Sequence, residues 1–278
     1  MKSHYIAIVA ALAALVSCQQ DLDIQGETPV ADASDRLIAF TAEGEGLQTE
    51  VATKATAVTT LSSFNVSATT GTAGSETTKW NSVSFSGAPN FTGGKYWPAS
   101  NPSYHFYAAN DAITFAAAGS TVAPDGSKDV VVAYLASPTY GSSNPLTFNH
   151  VYARVGTLTI SAAAGSLSNV SATLKNVATG GTYNIRTGVW TAGTKADKTL
   201  TVGSNDLYVV PGTYSLSVTY TVTNGDYSAT FTKSGNVTLQ QGKINNISAT
   251  APNTSTAITF TVSVTAWGTA NVSAGTLS

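Results

Sequence analysis

Tyr214-Ser215-Leu216-Ser217-Val218-Thr219-Tyr220-Thr221-Val222-Thr223-Asn224-Gly225-Asp226-Tyr227-Ser228-Ala229-Thr230-Phe231 decides the fold. From Tyr214 to Val222 every second residue is large and apolar, and only Ser and Thr stand between them. A period of two sends alternate side chains to opposite faces of an extended chain, so this is a strand with one buried face. Asn224-Gly225-Asp226 supplies turn residues, and Tyr227, Ala229 and Phe231 resume the alternation beyond it. Strand, tight turn and return strand make a β-hairpin.

The same pattern extends outward. Phe64, Val66 and Ala68 alternate with polar residues, as do Tyr104, Phe106 and Ala108. Val130 to Leu135 is a continuous apolar run, as in a strand buried on both faces. Pro-Gly, Gly-Gly and Asp-Gly pairs punctuate these segments, and helical periodicity is nearly absent. Short strands at this spacing predict an all-β chain of two consecutive β-sandwich domains. The turn-rich Ser143-Asn144-Pro145 divides the domains into residues 55–144 and 145–278.

Composition agrees. The 278 residues suffice for two cores. Charged residues are 10% of the chain against a usual quarter or so, replaced by Thr, Ser, Ala, Gly and Asn. A net charge of −2 carries no footprint of nucleic-acid binding. Cys18 is the only cysteine, which excludes an internal disulfide framework and any multi-cysteine metal site.

The N-terminus is an export signal. Lys2 and His4 precede the apolar run Tyr5 to Val16, which is too short to span a bilayer as a helix. Leu15-Val16-Ser17-Cys18 resembles the bacterial lipobox, making residues 1–17 a lipoprotein signal peptide and Cys18 the lipidated residue. The thiol is the nucleophile that accepts the lipid, and several acyl chains anchor stably where one would not. Before any further processing, the expected partner of Cys18 is therefore outer-membrane lipid.

Residues 18–54 are acidic. They hold eight of the 15 Asp and Glu residues, opposed only by Arg36 and Lys54, a net of −6. One strand candidate, Leu37-Ile38-Ala39-Phe40-Thr41, sits among them. Two readings are open: a solvated tether leading into the first strand, or a pro-segment whose strand can be removed. Lys54, alone among small polar neighbours and followed by Ala55, is where a trypsin-like protease could cut.

Catalysis has few titratable groups to work with. Beyond the signal peptide the only histidines are His105 and His150, both in strand contexts that suggest structural roles. Asp111, Asp125, Asp129, Asp197, Asp206 and Asp226 stand singly in or beside turns, where such residues cap local backbone. No nucleophile elbow, phosphate loop or metal-ligand spacing is present, so no enzyme, metal or cofactor is expected. Trp80, Trp97, Trp190 and Trp267 read as core plugs before they read as a sugar platform.

Several signatures in order resemble the fimbrillin family, the Mfa-like and major-pilin-like lipoproteins that build type V pili of Bacteroidales. After the lipobox come the acidic lead and Thr53-Lys54-Ala55-Thr56, then Lys95-Tyr96-Trp97-Pro98 and Tyr104-His105-Phe106-Tyr107-Ala108. Pro145-Leu146-Thr147-Phe148-Asn149-His150-Val151-Tyr152-Ala153-Arg154-Val155 follows, then Leu239-Gln240-Gln241-Gly242-Lys243 and a last strand containing Trp267-Gly268.

The resemblance implies two transthyretin-like β-sandwich domains and a pilus subunit on the cell surface, active in adhesion. It further implies cleavage between Lys54 and Ala55, displacement of the strand carrying Leu37, Ile38 and Phe40, and polymerisation by strand donation between copies or related subunits. Residues 258–267 would be the donor. Ile258, Phe260, Val262 and Val264 share one side of that segment, which spans about 33 Å when extended. The same pattern equally suits the last strand of its own domain. A non-polymerising surface lipoprotein adhesin or glycan-binding module, with a host surface as partner, is the alternative function. A hydrolase with an unrecognised site is a weaker third.

Overall fold

The computed structural model describes residues 37–44, 61–98, 103–254 and 256–267, and among them every regular element is a strand. The first eight are β1 (Leu37–Gly44), β2 (Ser63–Thr70), β3 (Thr77–Ser86), β4 (Phe91–Tyr96), β5 (Tyr104–Ala109), β6 (Thr121–Val122), β7 (Val131–Leu135) and β8 (Ser143–His150). There follow β9 (Ala153–Ala162), β10 (Ser166–Ala178), β11 (Gly181–Asn184), β12 (Trp190–Ala192) and β13 (Lys195–Leu200). The last five are β14 (Gly203–Val209), β15 (Gly212–Asn224), β16 (Tyr227–Leu239), β17 (Lys243–Ala251) and β18 (Phe260–Ala266).

The deciding hairpin is β15–β16. Its register runs unbroken from Gly212↔Leu239 to Asn224↔Tyr227, leaving the two-residue loop Gly225-Asp226. Gly225 has φ of 61°, the left-handed value such a loop requires and glycine adopts freely. Leu216, Val218, Tyr220 and Val222 are buried. On the outer face the hydroxyls of Thr219 and Thr232 lie 2.8 Å apart and those of Thr221 and Thr230 2.9 Å apart. Such cross-strand pairs fix register where no core does.

The N-terminal half forms one closed barrel in the order β1-β4-β3-β2-β5-β7-β8. Its interior is aromatic: Phe40, Phe64, Phe85, Phe91, Phe106 and Phe148 are all buried there. The C-terminal half is a sandwich of two four-stranded sheets, β13-β10-β15-β16 and β14-β9-β17-β18, around a second aliphatic core. A small sheet, β12-β11-β6, joins a strand from the first half to two from the second.

A third core fills the junction. Tyr107, Ala109, Val130 and Val132 face it from the barrel, and Tyr183, Ile185, Tyr208 and Trp267 from the sandwich side. This explains the continuous apolar run at 130–135. Val131 and Ala133 face the barrel interior while Val130 and Val132 face the junction, so both faces are buried.

Two expectations are corrected. The N-terminal half closes into a single barrel where two separate sheets were expected, because β1 bridges β4 and β8. The boundary expected at 144/145 cuts through β8, which pairs with β1 and β7 and completes the barrel. Turn residues at 143–145 signal a bend before a strand, not the end of a unit. The chain passes to the sandwich only at Val151-Tyr152, between β8 and β9.

Candidate assembly site

β1 is held from both sides. It runs antiparallel to β4, with Leu37↔Tyr96 and Phe40↔Phe91, and parallel to β8 from Ala39↔Ser143 to Gly44↔Phe148. Leu37 is half-buried, while Ile38 and Phe40 are both 0% exposed. The Phe40 ring meets Phe106 edge-on at 5.0 Å and Phe85 at 5.2 Å. At about 1.5–3 kcal/mol per fully buried large side chain, these two residues contribute several kcal/mol to closure. Removing β1 would open a slot floored by the barrel's aromatic core and rimmed by the unpaired backbones of β4 and β8, a template for another strand. Cys18, Lys54 and Ala55 lie outside the described residues.

β18 is the edge strand of its sheet and pairs antiparallel with β17 from Lys243↔Ala266 to Ala249↔Phe260. Its expected one-sided apolar row is present but graded. Ile258, just before the strand, is buried, Phe260 and Val262 pack half-buried on the sandwich core, and Val264 is 39% exposed. Gly235 in β16 makes room for this row, since a Cβ there would come within 2.9 Å of the Phe260 ring. Among the described residues, the segment expected as donor occupies its own domain's sheet.

Trp267, immediately after β18, is fully buried in the junction. Its indole stacks on His150 at 4.3 Å and 13°, and on Tyr208 at 5.8 Å and 12°. Its Nε1 has no hydrogen-bond partner among the described residues. His150, the last residue of β8, is paired through Nδ1 with Asp129 Oδ2 at 2.8 Å, and both side chains are buried. His150 was expected in a structural role, and it is buried at the junction. Asp129 was expected as a turn cap, and that is corrected: it is 1% exposed and sits against a histidine 21 residues away. His105 is half-buried, bonded to the Gly71 carbonyl and the Tyr134 hydroxyl.

A second polar group at the junction escaped the sequence reading. Glu76 is 4% exposed and accepts hydrogen bonds from Thr69 at 3.0 Å, Tyr107 at 2.6 Å and Arg186 Nη1 at 2.8 Å. Burial, reinforced by the bond to Glu76, pushes the Tyr107 hydroxyl pKa far above its ordinary value. Arg186 also donates to the Ala118 carbonyl. The local signal for Glu76 is slight, one carboxylate in the polar run Ser75-Glu76-Thr77-Thr78.

The tryptophans form no exposed platform. Trp97 and Trp267 are buried, and Trp80 and Trp190 are half-buried against the barrel and junction cores. Among the described residues no cluster of three or more His, Cys, Asp or Glu could hold a metal ion.

With this geometry in view, comparison with known proteins places the chain. The Fimbrillin-like family profile matches residues 43–267, and the chain belongs to that family. A fimbrial protein from Bacteroides vulgatus superposes with a TM-score of 0.55 at 13% identity, covering 84% of this chain and 99% of that one. A candidate cell adhesion protein from Bacteroides uniformis gives 0.53 at 17% identity, with 84% and 99% covered. At these identities the likeness speaks for the fold. No curated protein sequence matches.

Proposed function

We propose that this chain is a structural, non-catalytic subunit of a cell-surface pilus that supports adhesion. In this reading it is exported as a lipoprotein through Cys18, cut between Lys54 and Ala55, and joined to like subunits by strand donation. Family membership supports the pilus assignment. The observation that carries the mechanism is β1, a short strand that closes a hydrophobic barrel. β1 ends at Gly44 and β2 begins at Ser63, so a cut after Lys54 would leave β1 attached by non-covalent contacts alone. Among the described residues β18 is an edge strand with a single strand neighbour, so it can leave its sheet by breaking one ladder.

Mass spectrometry of surface-extracted protein tests the reading. The mature N-terminus should be Ala55, and the material should run as oligomer ladders that resist denaturant. Lys54→Ala should abolish both. A monomer that keeps lipidated Cys18 in wild-type cells would overturn the proposal in favour of a non-polymerising adhesin. A junction cleft of about 480 Å³, lined in part by Tyr134, Asn149 and Gln241, is the first place to seek that adhesin's ligand.

A further inference from the structure

Trp267 ties the end of β18 to something other than its own sheet. Its indole rests on a socket built from both halves of the molecule, with His150 and Asp129 from the barrel and Tyr208 from the sandwich. Because Nε1 has no hydrogen-bond partner among the described residues, the indole can leave without breaking one. What holds it is stacking and burial.

His150 is also where β8 ends, and β8 depends on β1. β8 has six register partners in β1 but only two in β7, Val131↔His150 and Val132↔Asn149. Without β1, residues 143–148 keep no strand partner among the described residues. The ladder that remains is then confined to the socket itself. Motion of a strand loosened over most of its length is delivered to the ring on which Trp267 lies.

From these contacts we infer that the Trp267–His150 stack gates strand donation: with β1 in place it keeps β18 on β17, and loss of β1 loosens β8, unseats Trp267 and frees the tail. The inference rests on the strand-donation reading above. It adds that one cut produces both halves of the joint, an open slot and a mobile tail, in the same subunit. An uncut subunit neither accepts nor donates, so assembly waits for processing. Trp267 and His150 are positioning residues, and the partner they regulate is a second copy of the chain.

Hydrogen–deuterium exchange on the full chain tests the gate. A site-specific protease sequence replaces residues 51–56, so that β1 can be cut free in the folded protein and washed away. Exchange over 143–150 and over 258–266 should then rise together, by tenfold or more, and a synthetic peptide of residues 37–44 should reverse both. In the uncut chain Trp267→Ala should raise exchange over 258–266 to a similar degree while the barrel strands stay protected. Trp267→Phe, which keeps a stacking ring, should retain most of the protection. The gate is overturned if 258–266 stays protected while 143–150 opens, or if folded Trp267→Ala protects its tail like the wild type. Should Trp267→Ala fail to fold, the cutting and add-back arms decide. Oligomer formation is scored separately: a tail that opens on cutting without forming oligomers sinks donation and sustains the gate, and oligomers whose 258–266 segment never opens before joining sink the gate alone.

Discussion

Arg186 and Glu76 stand 110 residues apart in the chain and 2.8 Å apart in the fold, one from each half of the molecule. The Glu76 carboxylate is fully buried and the guanidinium is 17% exposed. Removing one partner of such a pair leaves a charge without compensation in a dry site, at a typical cost of about 3–5 kcal/mol.

Arg186→Ala should therefore destabilise the protein by about 3 kcal/mol, toward the low end because Thr69 and Tyr107 still donate to Glu76. Urea unfolding measures it. Adding Glu76→Gln to Arg186→Ala should recover part of the loss, since no buried charge then remains. An Arg186→Ala midpoint equal to wild type would mean that the pair contributes nothing at the junction.

Phe40→Ala should cost about 3–5 kcal/mol, because the barrel core cannot collapse into the space left by a ring packed on Phe85 and Phe106. Chemical denaturation gives the value. Leu37→Ala, at a half-buried position of the same strand, should cost distinctly less.

Gly235→Val should strain the sandwich, since a Cβ at 235 already meets the Phe260 ring at 2.9 Å. Overpacking of this kind costs about 1–3 kcal/mol. The strain should concentrate on β18, seen as faster amide exchange over 260–266 than over the barrel strands. Equal exchange across both regions would show that β16 yields instead.

Alkali should unfold the protein before its buried tyrosines ionise. Burial raises the hydroxyl pKa values of Tyr107, Tyr152 and Tyr208 well above the ordinary value of 10. With the folded-state values raised, their contribution to stability is fully present below pH 10 and is lost as pH climbs beyond it. Absorbance at 295 nm should show the tyrosinate of these residues only together with loss of the far-ultraviolet dichroism. Titration of all tyrosines in a still-folded protein would contradict the burial.

The strands were legible because alternation is local. Tyr214 to Val222 states its own burial, and Gly225 states the turn. The strand with an apolar residue at every position, in 130–135, read correctly as doubly buried, although nothing local reveals that the second face belongs to a junction. Partnerships across long separations were not legible. β8 looked like the start of a unit because its turn lies at 143–145, while the partner that assigns it to the barrel lies about a hundred residues upstream. Asp129 carries no mark of His150, nor Glu76 of Arg186, because each becomes exceptional only when the fold removes water from around it. The apolar row from Ile258 to Val264 was visible, but its graded burial is set by Gly235 and by the edge position of β18.

The parallel pairing of β1 with β8 has a consequence for biogenesis. Thr147 bonds to Glu43 across 104 residues of sequence, so β1 has no partner on that side until the whole barrel has left the ribosome. Contacts this distant are closed slowly, after local hairpins have formed. Among the described strands β1 is thus the first to be made and among the last to dock, and until it docks the nascent chain carries an unsealed aromatic interior.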